Sequence, residues 1–134
     1  MKIAKKDDYH KCLTDILDII LHSRKFFLEK IQQMLVDMYW EIGYRIVVEE
    51  QKGDVRAGYG EELIPKLSQD LAASGERGFG ITNIKCMRRF YLIYPQKKLL
   101  RAGITWTHYQ KLIRLETDAQ RRFYEDKIIC ELWS

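Results

Sequence analysis

Gly78-Phe79-Gly80-Ile81-Thr82-Asn83-Ile84-Lys85-Cys86-Met87-Arg88-Arg89-Phe90-Tyr91-Leu92-Ile93-Tyr94-Pro95 is the stretch around which the chain is organised. Ile84, Met87, Tyr91 and Tyr94 recur at three- and four-residue steps, so they share one helical face. Thr82, Lys85 and Arg89 recur at the same steps on another face, with Arg88 beside them. Thr82 or Gly80 can hold the N-cap, and Pro95 ends the helix because the residue before a proline is pushed out of the α region. The stretch predicts a short helix with an apolar back and a basic front. Its first turn carries Thr82 and Asn83, whose side chains can reach phosphates or base edges.

Charge sharpens this reading. Of 23 basic and 19 acidic residues in the chain, nine basic and no acidic ones fall between Arg77 and Leu115. They are Arg77, Lys85, Arg88, Arg89, Lys97, Lys98, Arg101, Lys111 and Arg114, which leaves 14 basic against 19 acidic residues elsewhere. The formal net charge of +4 thus hides a strongly polarised sequence. A segment of this kind suits a polyanion, above all nucleic acid. The alternatives are a solvated basic face or an interface with an acidic protein.

With 134 residues, 46% hydrophobic and 12% aromatic, the chain can build a real core. Its two prolines favour long helices. No apolar run approaches the roughly 20 residues of a membrane span, and Met1-Lys-Ile-Ala-Lys-Lys-Asp-Asp8 lacks the apolar segment of a secretory signal. Cys12, Cys86 and Cys130 are odd in number and scattered, a pattern of reduced thiols in a cytoplasm. With His10, His22 and His108 they make no metal-ligand spacing, so neither a metal nor a cofactor is expected.

Taken in order, residues 1–7 are polar, and helix begins near Asp8. Leu13, Ile16, Leu17 and Ile20 form one stripe; Phe27, Ile31, Leu35, Met38, Ile42 and Ile46 form a second. His22-Ser23 is the expected interruption, with Ser23 capping a helix of residues 24–51, about 40 Å long at about 1.5 Å per residue. A helix so long needs cover. Either the first helix folds back along it or a second copy does, and a homodimer through residues 24–51 is the expected solution. Tyr39 and Trp40 are core anchors, and Gly43 permits close approach of another element.

Lys52-Gly-Asp-Val-Arg-Ala-Gly-Tyr-Gly60 is a glycine-rich loop without the Gly-Lys-Ser/Thr of a phosphate-binding loop. A helix from Glu61 to Ala73 follows, with Leu63, Ile64, Leu67 and Leu71 inward and Pro65 tolerated near its first turn. The turn 74–80 and the basic helix then complete a helix-turn-helix-like unit. A connection with a short helical turn follows Pro95. Thr105 caps a helix through Leu115, and Thr117 or Asp118 caps a last helix that runs to Trp133. The expected fold is all-α: one domain over residues 1–134, with a long N-terminal helix or helical hairpin and a helix-turn-helix-like unit.

Four ordered motifs resemble the N-terminal domain of the YhcG-like family of bacterial proteins. They are Tyr39-Trp-Glu-Ile-Gly-Tyr-Arg-Ile46; Tyr59-Gly60 with Leu67-Ser-Gln-Asp-Leu71; Gly78-Phe79 with Asn83, Met87, Arg88, Phe90, Tyr91 and Tyr94-Pro95; and Ile104-Thr-Trp-Thr-His-Tyr109. The resemblance runs over about residues 10–134, including Phe123-Tyr124 to Trp133-Ser134. It implies a helical DNA-binding module that usually precedes a nuclease domain of the PDDEXK class, and no such second domain is present in this chain. The family often has serine where Gly80 stands, so the start of the basic helix shifts by about two residues if Thr82 caps instead.

A catalytic constellation is not readable. His108 has no nucleophile and oriented acid around it, its nearest acid being Glu116. The paired carboxylates fall at helix ends or on solvated faces, and Cys86, between Ile84 and Met87, reads as a core thiol. The expectation is a DNA-binding module without its own chemistry. Thr82, Asn83, Lys85, Arg88 and Arg89 are the contacts, and Lys97, Lys98, Arg101 and His108 flank them on phosphates. The rival is a helical protein–protein assembly module with no direct nucleic-acid contact.

Overall fold

The computed structural model describes residues 6–52 and 59–133. The glycine-rich segment 53–58, residues 1–5 and the terminal serine lie outside the described residues. Five α-helices run in order: α1 Lys6–Lys52, α2 Tyr59–Ala73, α3 Ile81–Ile93, α4 Trp106–Leu112 and α5 Asp118–Trp133, with a 3-10 turn at Lys97–Leu99 before α4. No strand occurs among the described residues, so the all-α class holds. The chain divides into two units, residues 1–32 and 33–134.

Three expected boundaries are corrected. The break at His22-Ser23 does not occur, because α1 is one helix of 47 residues. Serine and histidine cost only fractions of a kcal/mol inside a helix, and His22 bonds back through Nδ1 to the carbonyl of Asp18 at 2.7 Å. The first stripe therefore does not fold back on the second. Helix α2 starts at Tyr59, so Pro65 stands inside it rather than in its first turn. Helix α4 stops at Leu112, not Leu115, and the tighter bonds Arg114 N–H to Lys111 O and Leu115 N–H to Leu112 O turn the chain toward α5. There Thr117 is the cap, its hydroxyl accepting from the Gln120 N–H.

In residues 1–32 every described residue is exposed. The second unit holds the cores. Ile46 of α1, Ile64 of α2 and Ile84 of α3 form one cluster, lined by Leu63, Leu67, Leu71 and Phe79. Val36 of α1, Phe90 of α3 and Tyr94 at its C-cap, and Tyr109 and Leu112 of α4 form the other, against which Ile128 and Ile129 of α5 pack. Phe90 and Tyr109 are fully buried, with ring centroids 4.8 Å apart. Trp40 donates its indole N–H to the Tyr94 carbonyl at 2.7 Å, as the expected anchor on α1. Most of the helix from Val36 to Val47 is thus covered by its own unit, which leaves less of the expected 24–51 surface open to a second copy.

Helix α3 reaches both cores because Gly43 lets α1 come close. A Cβ at Gly43 would sit 2.1 Å from the Met87 carbonyl oxygen and 2.8 Å from its carbon. Met87 itself is buried. Gly43→Ala must therefore push two helix backbones apart. We expect it to lower stability by about 1–3 kcal/mol, the usual range for overpacking, with a matching fall in thermal midpoint measured by circular dichroism.

Candidate nucleic-acid interface

The turn between α2 and α3 is built from local bonds. Gly75, at φ +89°, closes α2: its N–H bonds the Ala72 carbonyl and the Glu76 N–H bonds that of Leu71. This pair of bonds needs a left-handed residue, which glycine supplies without strain. The Ser68 hydroxyl donates to the Phe79 carbonyl at 2.8 Å, and the Asn83 amide donates to the Gly78 carbonyl at 3.1 Å. Both bonds hold the turn against its flanking helices and so fix where α3 begins. Gly80 is the N-cap in extended geometry, without a side-chain cap and with no acidic residue in the first turn. The first-turn N–H groups and the positive end of the helix dipole are therefore open to an anion.

Ile81, Thr82, Asn83, Lys85, Arg89 and Leu92 of α3 are exposed, while Ile84, Met87 and Phe90 are buried. Neighbouring arginines on this helix part company. Arg88 is half-buried and its Nε–H is shared between the two carboxylate oxygens of Glu50 on α1, at 2.6 and 2.8 Å. Arg89 makes no side-chain bond among the described residues, and the same is true of Thr82, Lys85 and Lys98.

The flanking cations divide in the same way. Lys97 bonds Glu41 at 3.0 Å and Arg101 bonds Asp126 at 2.6 Å. Each bond holds its cation in the charged form and raises its pKa. His108 is occupied locally. Its Nδ1 accepts from the Thr105 N–H at 3.1 Å while the Thr105 hydroxyl accepts from the His108 N–H, which makes a capping box for α4.

The structure adds Arg114, counted in the basic span but not chosen as a contact. The Cys86 thiol is pushed up by burial, against the lowering influence of the Arg114 charge and then that of Arg89, so both charges are within electrostatic reach of this thiol on α3. A raised thiol is not a reactive one, as expected for a half-buried side chain packed on the core. Arg114 follows α4, a position that sequence spacing could not join to α3. Among the described residues no group of three His, Cys, Asp or Glu side chains could hold a metal ion. Among the described residues no helix is long and apolar enough to cross a membrane.

Comparison with known proteins adds a second line of observation. The profile of the DUF1016 N-terminal domain family matches residues 15–134. The chain is similar to the protein named "Putative nuclease YhcG" of Escherichia coli (strain K12), with 37% identity over 91 residues. That alignment covers 68% of this chain and 24% of the relative, so the chain spans about a quarter of that protein. No solved structure matches.

The geometry separates two classes of cation. Arg88→Ala should lower stability by about 1 kcal/mol, since it strands the Glu50 carboxylate at a half-exposed pair. Lys85→Ala and Arg89→Ala should leave the thermal midpoint unchanged. Thermal melts of the three single variants, paired with fluorescence anisotropy on a duplex, check the division: only the last two should weaken DNA binding with the fold intact.

Proposed function

This chain belongs to the DUF1016 N-terminal domain family, and from that premise we propose that it is the DNA-binding, targeting module of a nuclease, acting through the exposed face of α3. The observation that carries the reading is the unpaired set Lys85, Arg89 and Lys98, in a sequence span without acids, together with the uncapped N-terminus of α3. Arg114 extends this set toward α4. Phosphates would meet guanidinium and ammonium groups together with first-turn N–H groups, while Thr82 reaches toward the groove and Asn83 holds the turn through the Gly78 carbonyl. The paired cations Arg88, Lys97 and Arg101 shape the rim of that surface and hold it to α1 and α5.

In this reading the module binds and does not cut. Cleavage belongs to a second domain in this reading; the similar Escherichia coli protein carries the name "Putative nuclease YhcG", and the chain spans about a quarter of it. The free thiols of Cys12, Cys86 and Cys130 suit a reducing cytoplasm. Two copies acting together would bring two α3 helices to one duplex, which favours a homodimer.

The test is salt dependence on random duplex. About four phosphate contacts release counterions with a log–log slope near −3 to −4 on B-DNA. We expect that slope to be lost in part in a Lys85→Ala/Arg89→Ala variant. Binding that is absent, or indifferent to salt from 50 to 200 mM, would remove the nucleic-acid reading and leave the assembly module.

A further inference from the structure

The first unit, residues 1–32, carries an apolar surface that nothing among the described residues covers. Tyr9, Leu13, Ile16, Ile20, Phe27 and Ile31 stand in one line along α1, each between 39 and 65% exposed. Ile19 and Phe26 widen the line on one flank, Leu21 and Leu28 on the other, all more than half exposed. At about 100° per residue the apolar arc spans about 220°, against the roughly 100° of an ordinary surface helix. Its large side chains leave on the order of 1,000 Å² of apolar area in water, beyond the largest patches of typical soluble monomers. That area is also what one partner contributes to a standard specific interface, about 800 Å².

Charge decides what lies on it. From Lys6 to Asp18 there are two lysines against four aspartates; from Ile19 to Gln32 there are Arg24, Lys25 and Lys30 against Glu29. The segment is thus acidic in its first half and basic in its second. A parallel copy would set like charge on like. An antiparallel copy sets each acidic half on a basic one.

The apolar line is largely arranged for the same turn-about. Leu13 and Phe27 lie equally far on either side of Ile20, and Tyr9 and Ile31 likewise, so a two-fold axis at Ile20 places these large side chains on one another, with Ile16 against the aliphatic stem of Arg24. We infer that residues 9–31 are a self-association surface, on which a second copy of this chain lies antiparallel with the two-fold axis close to Ile20. This deepens the homodimer of the reading above and moves its seat from residues 24–51 toward the N-terminus. It does not depend on DNA binding.

Disulfide trapping in the full chain tests it, starting from a Cys12→Ser/Cys130→Ser background in which both exposed native thiols are removed. Wild type should sediment as an oligomer at micromolar concentration. Ile20→Cys should link to itself under mild oxidation. Leu13→Cys and Phe27→Cys should each stay unlinked, whereas an equimolar mixture refolded together should give covalent dimers at about half yield. Self-linking of Leu13→Cys or Phe27→Cys means a parallel pair and overturns this proposal while leaving the homodimer standing. A wild-type monomer at those concentrations removes both.

Discussion

The second unit depends on a missing side chain. At Gly43 the α1 backbone meets the carbonyl of Met87, at a separation that no Cβ could occupy. Because the two helices touch there, Ile84 can enter the cluster shared with Ile46 and Ile64, while Phe90 and Tyr94 reach the cluster shared with Val36 and Tyr109. Helix α3 has only 13 residues, too few to be stable alone in water. Its stability comes from contact on both sides of the Met87 crossing, and that contact turns the face of Lys85 and Arg89 outward. The basic face is in this sense a by-product of packing: the residues that α3 buries determine which ones it shows.

The helical pattern of this unit was legible because its signals are local. The Ile84–Met87 spacing, the Pro95 stop and the Thr105 cap all act within one or two turns. Gly43 was legible as a place where something comes close, though not as the Met87 crossing. The expected break at His22-Ser23 failed for the opposite reason. Neither residue forbids helix, and between strong apolar helix formers a weak propensity does not stop propagation.

The candidate site was legible in composition and not in arrangement. A span of nine basic residues without an acid marks the region, but acids from other helices decide which cations stay free. Glu50 lies 38 residues from Arg88, Glu41 lies 56 from Lys97 and Asp126 lies 25 from Arg101. No window along the chain could have matched these pairs. Conversely, Arg114 joins Arg89 around Cys86 only because α4 packs beside α3. Counting charge along a sequence finds a basic region; finding which of its members are paired takes the fold.

The bond from the Trp40 indole to the Tyr94 carbonyl closes a loop of 54 residues, and that separation has a consequence during synthesis. At about 5–20 residues per second, Tyr94 is made roughly 3–10 s after Trp40. For much of that interval α1 exists without its full cover, since α2 and α3 emerge only within it and α4 after it, although a helix forms within microseconds. The nascent chain therefore displays its apolar surfaces at the ribosome well before the core can close. The crossing at Gly43 can form once Met87 has emerged, whereas the cluster of Val36 with Tyr109 and Leu112 must wait for α4.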